Sequence, residues 1–196
     1  MPELPDLTVY VESLERKALG STLTEIRLAN PFLLRSVEPA IEDAHGRTLE
    51  RVSLIGKRLV FGLSGDRHLV LHLMIAGRLR WRPAGSKVPG RVGVAAFDFD
   101  GDEPGTLILT EASKKKRASL HYVGSGDELA SFDRGGISPV DAAPKAFAER
   151  LTMENRTLKR ALTDPRIFSG IGNDTIDAGE VGSGQSSTAL YEVELI

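Results

Sequence analysis

Near the start of the chain the apolar positions recur with a helical period. Leu7, Val11, Leu14 and Ala18 are spaced by four, three and four residues, and Glu12, Glu15, Arg16 and Lys17 fill the positions between them. Asp6 stands where an N-cap is expected and Gly20 where the chain leaves a helix, so the pattern predicts one amphipathic helix between them. From residue 22 the period changes to two. Segments 22–28, 51–55, 59–63, 68–74, 78–81, 92–99, 106–110 and 119–123 read as strands punctuated by Gly, Pro and Asp clusters. Eight short strands behind one helix predict an antiparallel two-sheet sandwich or flattened barrel. Asp98-Phe99-Asp100-Gly101-Asp102 lacks the glycine position and the closing glutamate of a calcium loop, and is expected to form a hairpin turn around Asp100-Gly101.

Within segment 68–74, Leu69, Leu71 and Leu73 fall on one face and His68, Val70, His72 and Met74 on the other. The leucines are core candidates. His72 and Met74 belong either to a half-exposed second face or, lying just before the Gly77 turn, to the edge of a cleft. After Gly135-Gly136 and Pro139 the pattern turns helical at 144–151 and 155–163, and Asp164-Pro165 ends the second segment. Ser169-Gly170-Ile171-Gly172-Asn173 reads as a two-glycine turn with a capping asparagine, whose backbone N–H groups suit the close approach of a phosphate. Gly124-Ser125-Gly126 and Gly182-Ser183-Gly184 read as linker. The expected fold class is therefore α+β: an N-terminal helix and antiparallel β-sandwich over 1–135, a partial helical module over 136–181, and an atypical tail over 182–196.

With 196 residues of which 41% are hydrophobic, the chain is long enough for a sizeable core. No apolar run approaches the roughly 20 residues of a membrane span, and the N-terminus lacks the features of a signal peptide, so a cytoplasmic protein without a membrane partner is expected. The absence of cysteine removes disulfides and thiolate metal sites. The four histidines, His45, His68, His72 and His121, show no HExxH spacing, so neither metal nor cofactor is expected. A formal net charge of −2 does not announce a nucleic-acid binder. Three local groups change that picture: Lys57-Arg58, Arg78/Arg80/Arg82 on one side of a strand, and Lys114-Lys115-Lys116-Arg117. Each alone is ordinary solvated surface; all three within one β domain point to a shared phosphate-binding face.

The candidate chemistry lies at the N-terminus, Pro2-Glu3-Leu4-Pro5-Asp6. Once Met1 is trimmed, Pro2 carries a secondary amine that titrates near the α-amino value of about 7.7–8.0, so about a tenth of it is neutral and nucleophilic at pH 7. Attack of such an amine on a sugar aldehyde carbon gives an iminium, a permanent cation that draws electrons from neighbouring bonds. Glu3, one peptide away, supplies a carboxyl group for general acid and base work. Five residues alone also fit a simpler role, a proline-stiffened leader before a helix.

Taken together, Met1-Pro2-Glu3-Leu4-Pro5, Ile55-Gly56-Lys57-Arg58-Leu59, the run from His72 through Met74 to Arg78 and Leu79, and the run from Leu158-Lys159 through Gly170-Ile171-Gly172-Asn173 resemble the formamidopyrimidine-DNA glycosylase / endonuclease VIII family. The resemblance covers Pro2 to Asn173. It implies a helix-capped β-sandwich followed by a helix-two-turn-helix module, with damaged duplex DNA between them, removal of an oxidised base and cleavage at the abasic sugar. In that frame Pro2 looks like the Schiff-base nucleophile, Glu3 like the acid/base carboxylate, and Lys57 like the family's lysine for phosphate contact and proton transfer. His72 and Met74 match the segment that grips the backbone and fills the gap left by the extruded base. Lys159 and Asn173 match contacts of the helical module, and Arg78, Arg91 and Lys114 are further basic positions expected to face DNA.

Four departures accompany the resemblance. The family's Asp-x-Arg-x-Phe-Gly segment is replaced by the run from Glu111 to Arg117, the usual histidine is missing near Arg91, Thr175 and Ala178 stand for a tyrosine and a glutamate, and the zinc finger with its arginine is absent. The chain thus resembles a family member truncated or diverted within its second module. The leading expectation is a monomeric glycosylase with lyase activity that uses Pro2 without cofactor. The alternatives are a non-catalytic, DNA-binding remnant of such an enzyme and a fragment that needs a partner to complete its core.

Overall fold

Helix α1 spans Leu4–Ala18 in the computed structural model of the protein, which describes residues 2–172. The helix starts earlier than the sequence pattern places it. Glu3 is the N-cap, in extended conformation, and Pro5 lies in the first turn, where the missing N–H has no partner to lose. Asp6 is not the cap but the third helical residue, reaching back to accept the Glu3 N–H at 2.9 Å. The early start turns Glu3 from a leader residue into part of a fixed junction. Leu7, Tyr10, Leu14 and Ala18 are buried along one stripe, and Gly20, with φ +81°, turns the chain out of the helix as expected.

Eight strands follow: β1 Thr22–Leu28, β2 Arg47–Ile55, β3 Arg58–Leu63, β4 Arg67–His72, β5 Gly77–Pro83, β6 Gly93–Asp100, β7 Gly105–Glu111 and β8 Ser119–Val123. They pair antiparallel in the order β5-β7-β6-β1-β2-β3-β4-β8. The centre of this sheet is its weakest seam. β1 meets β2 only at Thr22↔Thr48 and Leu23↔Arg47, and the register shifts nearby at Leu23/Glu25 and at Leu49/Arg51. Such irregularities bend strands, and here the two halves fold over one another. Phe61 of β3 stacks on Phe97 of β6 at 6.1 Å between centroids, which ties the layers across one shared core. The expected helix-capped antiparallel sandwich is the observed one, and the Asp100-Gly101 hairpin joins β6 to β7.

Leu59, Phe61 and Leu63 of β3 and Leu69 and Leu71 of β4 enter that core, and Leu73 joins them from beyond the strand. The outer face of the same strands is apolar too. Val60, Val70 and Val123 form a second buried cluster against Ile55, Leu129 and Phe132. Helix α2, Gly126–Ala130, and the residues after it supply that cover. The linker reading of Gly124-Ser125-Gly126 is therefore corrected: the Ser125 hydroxyl accepts the Glu128 N–H at 3.3 Å and caps α2. A second correction concerns strand 68–74, which stops at His72. Gly77 N–H donates to the Leu73 carbonyl at 3.0 Å, and Met74 has φ +55°, outside strand geometry.

The helical part contains α3, Pro144–Leu151, as expected, and α4, Leu158–Thr163, shorter at its start than the 155–163 pattern. Ala161, Ile167 and Phe168 form its own small core, with Phe147 and Phe168 rings 4.4 Å apart. Ile137 bridges to Phe168, so residues 136–172 fold back on themselves. Asp164 accepts the Arg166 N–H and the guanidinium groups of Arg166 and Arg156, which hold its carboxyl well below the usual range. Asn173, the end of the expected helical module at 174–181 and the tail 182–196 lie outside the described residues. No helix among the described residues is long and apolar enough to cross a membrane.

Candidate active site

Three separate stretches of chain converge on the N-terminus. The first is Pro2-Glu3-Leu4 itself, with Pro2 buried and Glu3 only 2% exposed at the head of α1. The second is the connection between β2 and β3: Ile55 pairs with Arg58, leaving Gly56-Lys57 as a two-residue loop with Gly56 at φ +58°. A tight hairpin of this kind favours glycine at its first position, and it fixes Lys57 at the tip. The third is the turn at residues 169–172, where Gly170 has φ +89° and packs against Leu4.

At the meeting point, the Lys57 ammonium lies 3.6 Å from Glu3 Oε1. That distance pairs the charges but is too long for a hydrogen bond. Both Glu3 oxygens are buried and, among the described residues, without a hydrogen-bond partner. Gly172 explains how the third stretch fits. A Cβ added there would stand 2.2 Å from both Glu3 Oε1 and Lys57 Nζ, so only glycine lets the backbone come this close to the pair.

Lys57 and Gly172 also border a cleft of about 270 Å³, whose walls include Arg58, His72, Phe132, Arg134 and Ser169. Glu3 therefore stands behind the cleft wall, against two of its lining residues. His72 pairs in register with Arg58. Burial first, then the charges of Arg58 and Lys57, push its pKa down to about 4. At neutral pH the imidazole is uncharged, with one nitrogen to donate and one to accept.

The sequence-predicted site residues are thus only partly gathered. Glu3, Lys57 and His72 come together, with Pro2 adjoining. Met74 sits half-buried in the turn after β4, where Ile75, 57% exposed, is the more prominent apolar side chain. The Arg78 guanidinium folds back onto that turn, donating to the carbonyls of Ile75 and Gly77 at 3.3 and 2.8 Å. Arg78, Arg80 and Arg82 line a different recess of about 350 Å³ with Pro89, Val92 and Ile108, and it shares no residue with the cleft. Arg91 and Lys114 are exposed in loops, and Lys159 is exposed on α4.

Lys114 belongs to a loop organised by Glu111, which is 1% exposed. The Glu111 carboxylate accepts the backbone N–H groups of Arg117 and Ala118 and the Ser113 hydroxyl, while the Lys116 ammonium donates to the Glu111 carbonyl. Sequence reasoning missed this anchor, the contribution of Arg134 and Phe132 to the cleft, and the close approach of Gly172. Among the described residues no cluster of three or more His, Asp or Glu side chains is arranged to hold a metal ion.

The family model for the formamidopyrimidine-DNA glycosylase N-terminal domain matches residues 1–171. The chain belongs to the formamidopyrimidine-DNA glycosylase family. Relatives include the formamidopyrimidine-DNA glycosylase of Symbiobacterium thermophilum, 29% identical over 180 residues, covering 88% of this chain and 57% of that protein. The enzyme of the same name from Ligilactobacillus salivarius is 28% identical over 177 residues, covering 88% and 63%. The chain thus spans about three-fifths of the length of these relatives. Its fold matches that of the Lactococcus lactis Fpg in complex with abasic-site DNA, with a TM-score of 0.77 at 23% identity, over 90% of this chain and 65% of that one. In the family frame, the matched region holds the α1 junction, the Gly56-Lys57 hairpin and the 169–171 turn alike.

Proposed function

We propose that this chain acts on damaged duplex DNA as a base-excision glycosylase with a lyase step, using Pro2 as nucleophile once Met1 is removed. The observation that carries the reading is the buried Glu3 carboxylate, paired with Lys57 yet not hydrogen-bonded, beside Pro2 and behind the wall of a cationic cleft. A carboxylate with unused acceptor capacity is costly to bury, and proton transfer is a use for that capacity.

The Pro2 nitrogen lone pair forms a bond to the sugar C1′ as the glycosidic bond breaks; the base leaves with the electron pair of the broken bond and takes a proton from water, while the Pro2 N–H proton passes to the Glu3 carboxylate. The C1′–O4′ bond then opens to give the iminium, with O4′ protonated by the Glu3 carboxyl group. Loss of a C2′ proton and departure of the 3′ phosphate cut the strand, and water releases the product from Pro2. Lys57, 3.6 Å from Glu3, holds the flanking phosphate and relays protons in this reading. The base must first leave the stack at a cost of a few kcal/mol. Met74 and Ile75, on the turn after β4, are the apolar side chains available to fill the gap. Bound as a monomer, the chain would present Arg78, Arg91, Lys114 and Lys159 as outlying contacts.

Borohydride reduction in the presence of an abasic-site duplex tests this. The expected product is a covalent adduct that peptide mapping assigns to residue 2. One residue added ahead of Pro2 abolishes the adduct and leaves binding largely unchanged. Measurable binding to the duplex with no adduct at all would replace the enzyme by a DNA-binding remnant.

A further inference from the structure

Arg58 and Arg134 stand in the cleft without, among the described residues, the carboxylate partners that arginines ordinarily find. Arg58 is half-buried at the start of β3, with its guanidinium carbon 5.7 Å from the centre of the Phe132 ring. Burial first, then the like charge of Arg134, hold the Arg58 guanidinium below the usual arginine value. Neither arginine has an ion pair among the described residues. Among the described residues one carboxylate lines the cleft, that of Asp133, and it accepts the Gly135 N–H at 2.8 Å within its own turn.

The two side chains come from different places. Arg58 is fixed by strand pairing with Ile55 and His72. Arg134 follows Phe132, which is itself docked on Val60, Val70 and Val123. A single exposed arginine is ordinary surface. Two of them converging from separate segments, one withdrawn from water, form a like-charge pair that an anion would relieve. A guanidinium fork suits a phosphate oxygen pair better than a point charge does.

We infer that Arg58 and Arg134 form a second anion subsite in the cleft, taking a phosphodiester group distinct from the one held beside Lys57 and His72. That the anion belongs to DNA rests on the function proposed above; that the subsite takes a phosphate does not.

The test is fluorescence anisotropy of a duplex carrying a tetrahydrofuran abasic analogue, titrated across salt concentrations, with a parallel thermal-shift series in inorganic pyrophosphate. Arg134→Gln, which alters an exposed side chain, is expected to weaken DNA binding 3- to 10-fold and to lower the slope of log affinity against log salt by about 0.9, the value for one phosphate. Arg58→Gln has the same effect, Arg58→Lys an intermediate one, and the double variant adds little to either single because one phosphate is shared. Arg16→Gln, on α1, leaves the slope unchanged. Pyrophosphate raises the melting temperature of the unaltered protein and not that of the double variant. If DNA is bound and the slope is indifferent to both arginines, the subsite is overturned while the glycosylase reading stands. If no version binds DNA, the glycosylase reading falls; the pyrophosphate shift, present only in the unaltered protein, would still support the subsite, and its absence would overturn that as well.

Discussion

Glu111 and Glu3 are the two acidic side chains buried among the described residues, and the fold treats them in opposite ways. Glu111 closes β7 and is saturated: two backbone N–H groups and one hydroxyl point at its carboxylate. Glu3 opens α1 with a lysine at ion-pair distance and, among the described residues, no hydrogen bond to either oxygen. A satisfied carboxylate in a loop is a structural pin, since each of its bonds would otherwise be an orphan donor. An unsatisfied one is a standing cost that the packing around it must offset. Burial alone does not separate structure from chemistry in this protein; the state of the acceptor oxygens does.

Three predictions sharpen or break the contrast. The largest effect is expected at the bare acid. On the proposed function, Glu3→Gln lowers single-turnover strand cleavage on damaged DNA by about 10²–10⁴-fold, the range for losing a general acid or base. Chemical denaturation should register a smaller stability loss for it than for the matching change at Glu111. Cleavage within a factor of three of normal would mean that Glu3 serves packing only.

At the satisfied acid the order reverses. Glu111→Ala strands the partly buried Arg117 N–H and the buried Ala118 N–H, at a cost of about 3 kcal/mol. It also frees the loop that carries Lys114 and Lys115. The expected result is a lower denaturation midpoint with residual cleavage in whatever fraction stays folded. An undisturbed midpoint would show that the loop holds itself together without the carboxylate.

The smallest effect is one of pH. The His72 pKa falls from its ordinary 6.5 to about 4 in the folded chain, so the unfolded chain binds the proton more tightly. Stability is therefore lost as pH falls from about 6.5 through 4, and nothing is lost above that window. The full shift corresponds to about 3 kcal/mol, which solvent screening of a partly exposed ring reduces to about 1–2 kcal/mol. His72→Gln should flatten the melting temperature against pH across this interval, relative to the unaltered chain. Parallel curves would place the buried charge cost elsewhere.

Much of the sandwich was legible because alternation is a local signal. The periods around Leu59, Leu69 and Phe97 mark strands, and β1 and β8 begin and end where the pattern places them. The Pro2-Glu3 and Gly56-Lys57 pieces of the site were legible by their chemistry. What sequence could not supply was contact between distant segments. Gly172 looks like any turn glycine until its backbone is found against Glu3 and Lys57. Glu111 precedes a run of lysines and reads as surface charge, yet its bonds run to main-chain groups six and seven residues on. Arg134 follows no periodic element, so nothing local marks it as part of a cleft. Asp6 was misassigned for a different reason: a carboxylate at the third helical position and one at the cap carry the same residue type, and only the direction of its bond to Glu3 tells them apart.

The valine cluster on the outer side of β3, β4 and β8 has a consequence for how this protein can be re-engineered. Because Leu129 and Phe132 are riveted to Val60, Val70 and Val123, the passage from sandwich to helices is not an interchangeable tether. A chimaera that imports another relative's helical half must be cut upstream of α2 and bring matching valines with it, or the transplanted half will arrive with its mooring exposed and its arginine misaligned.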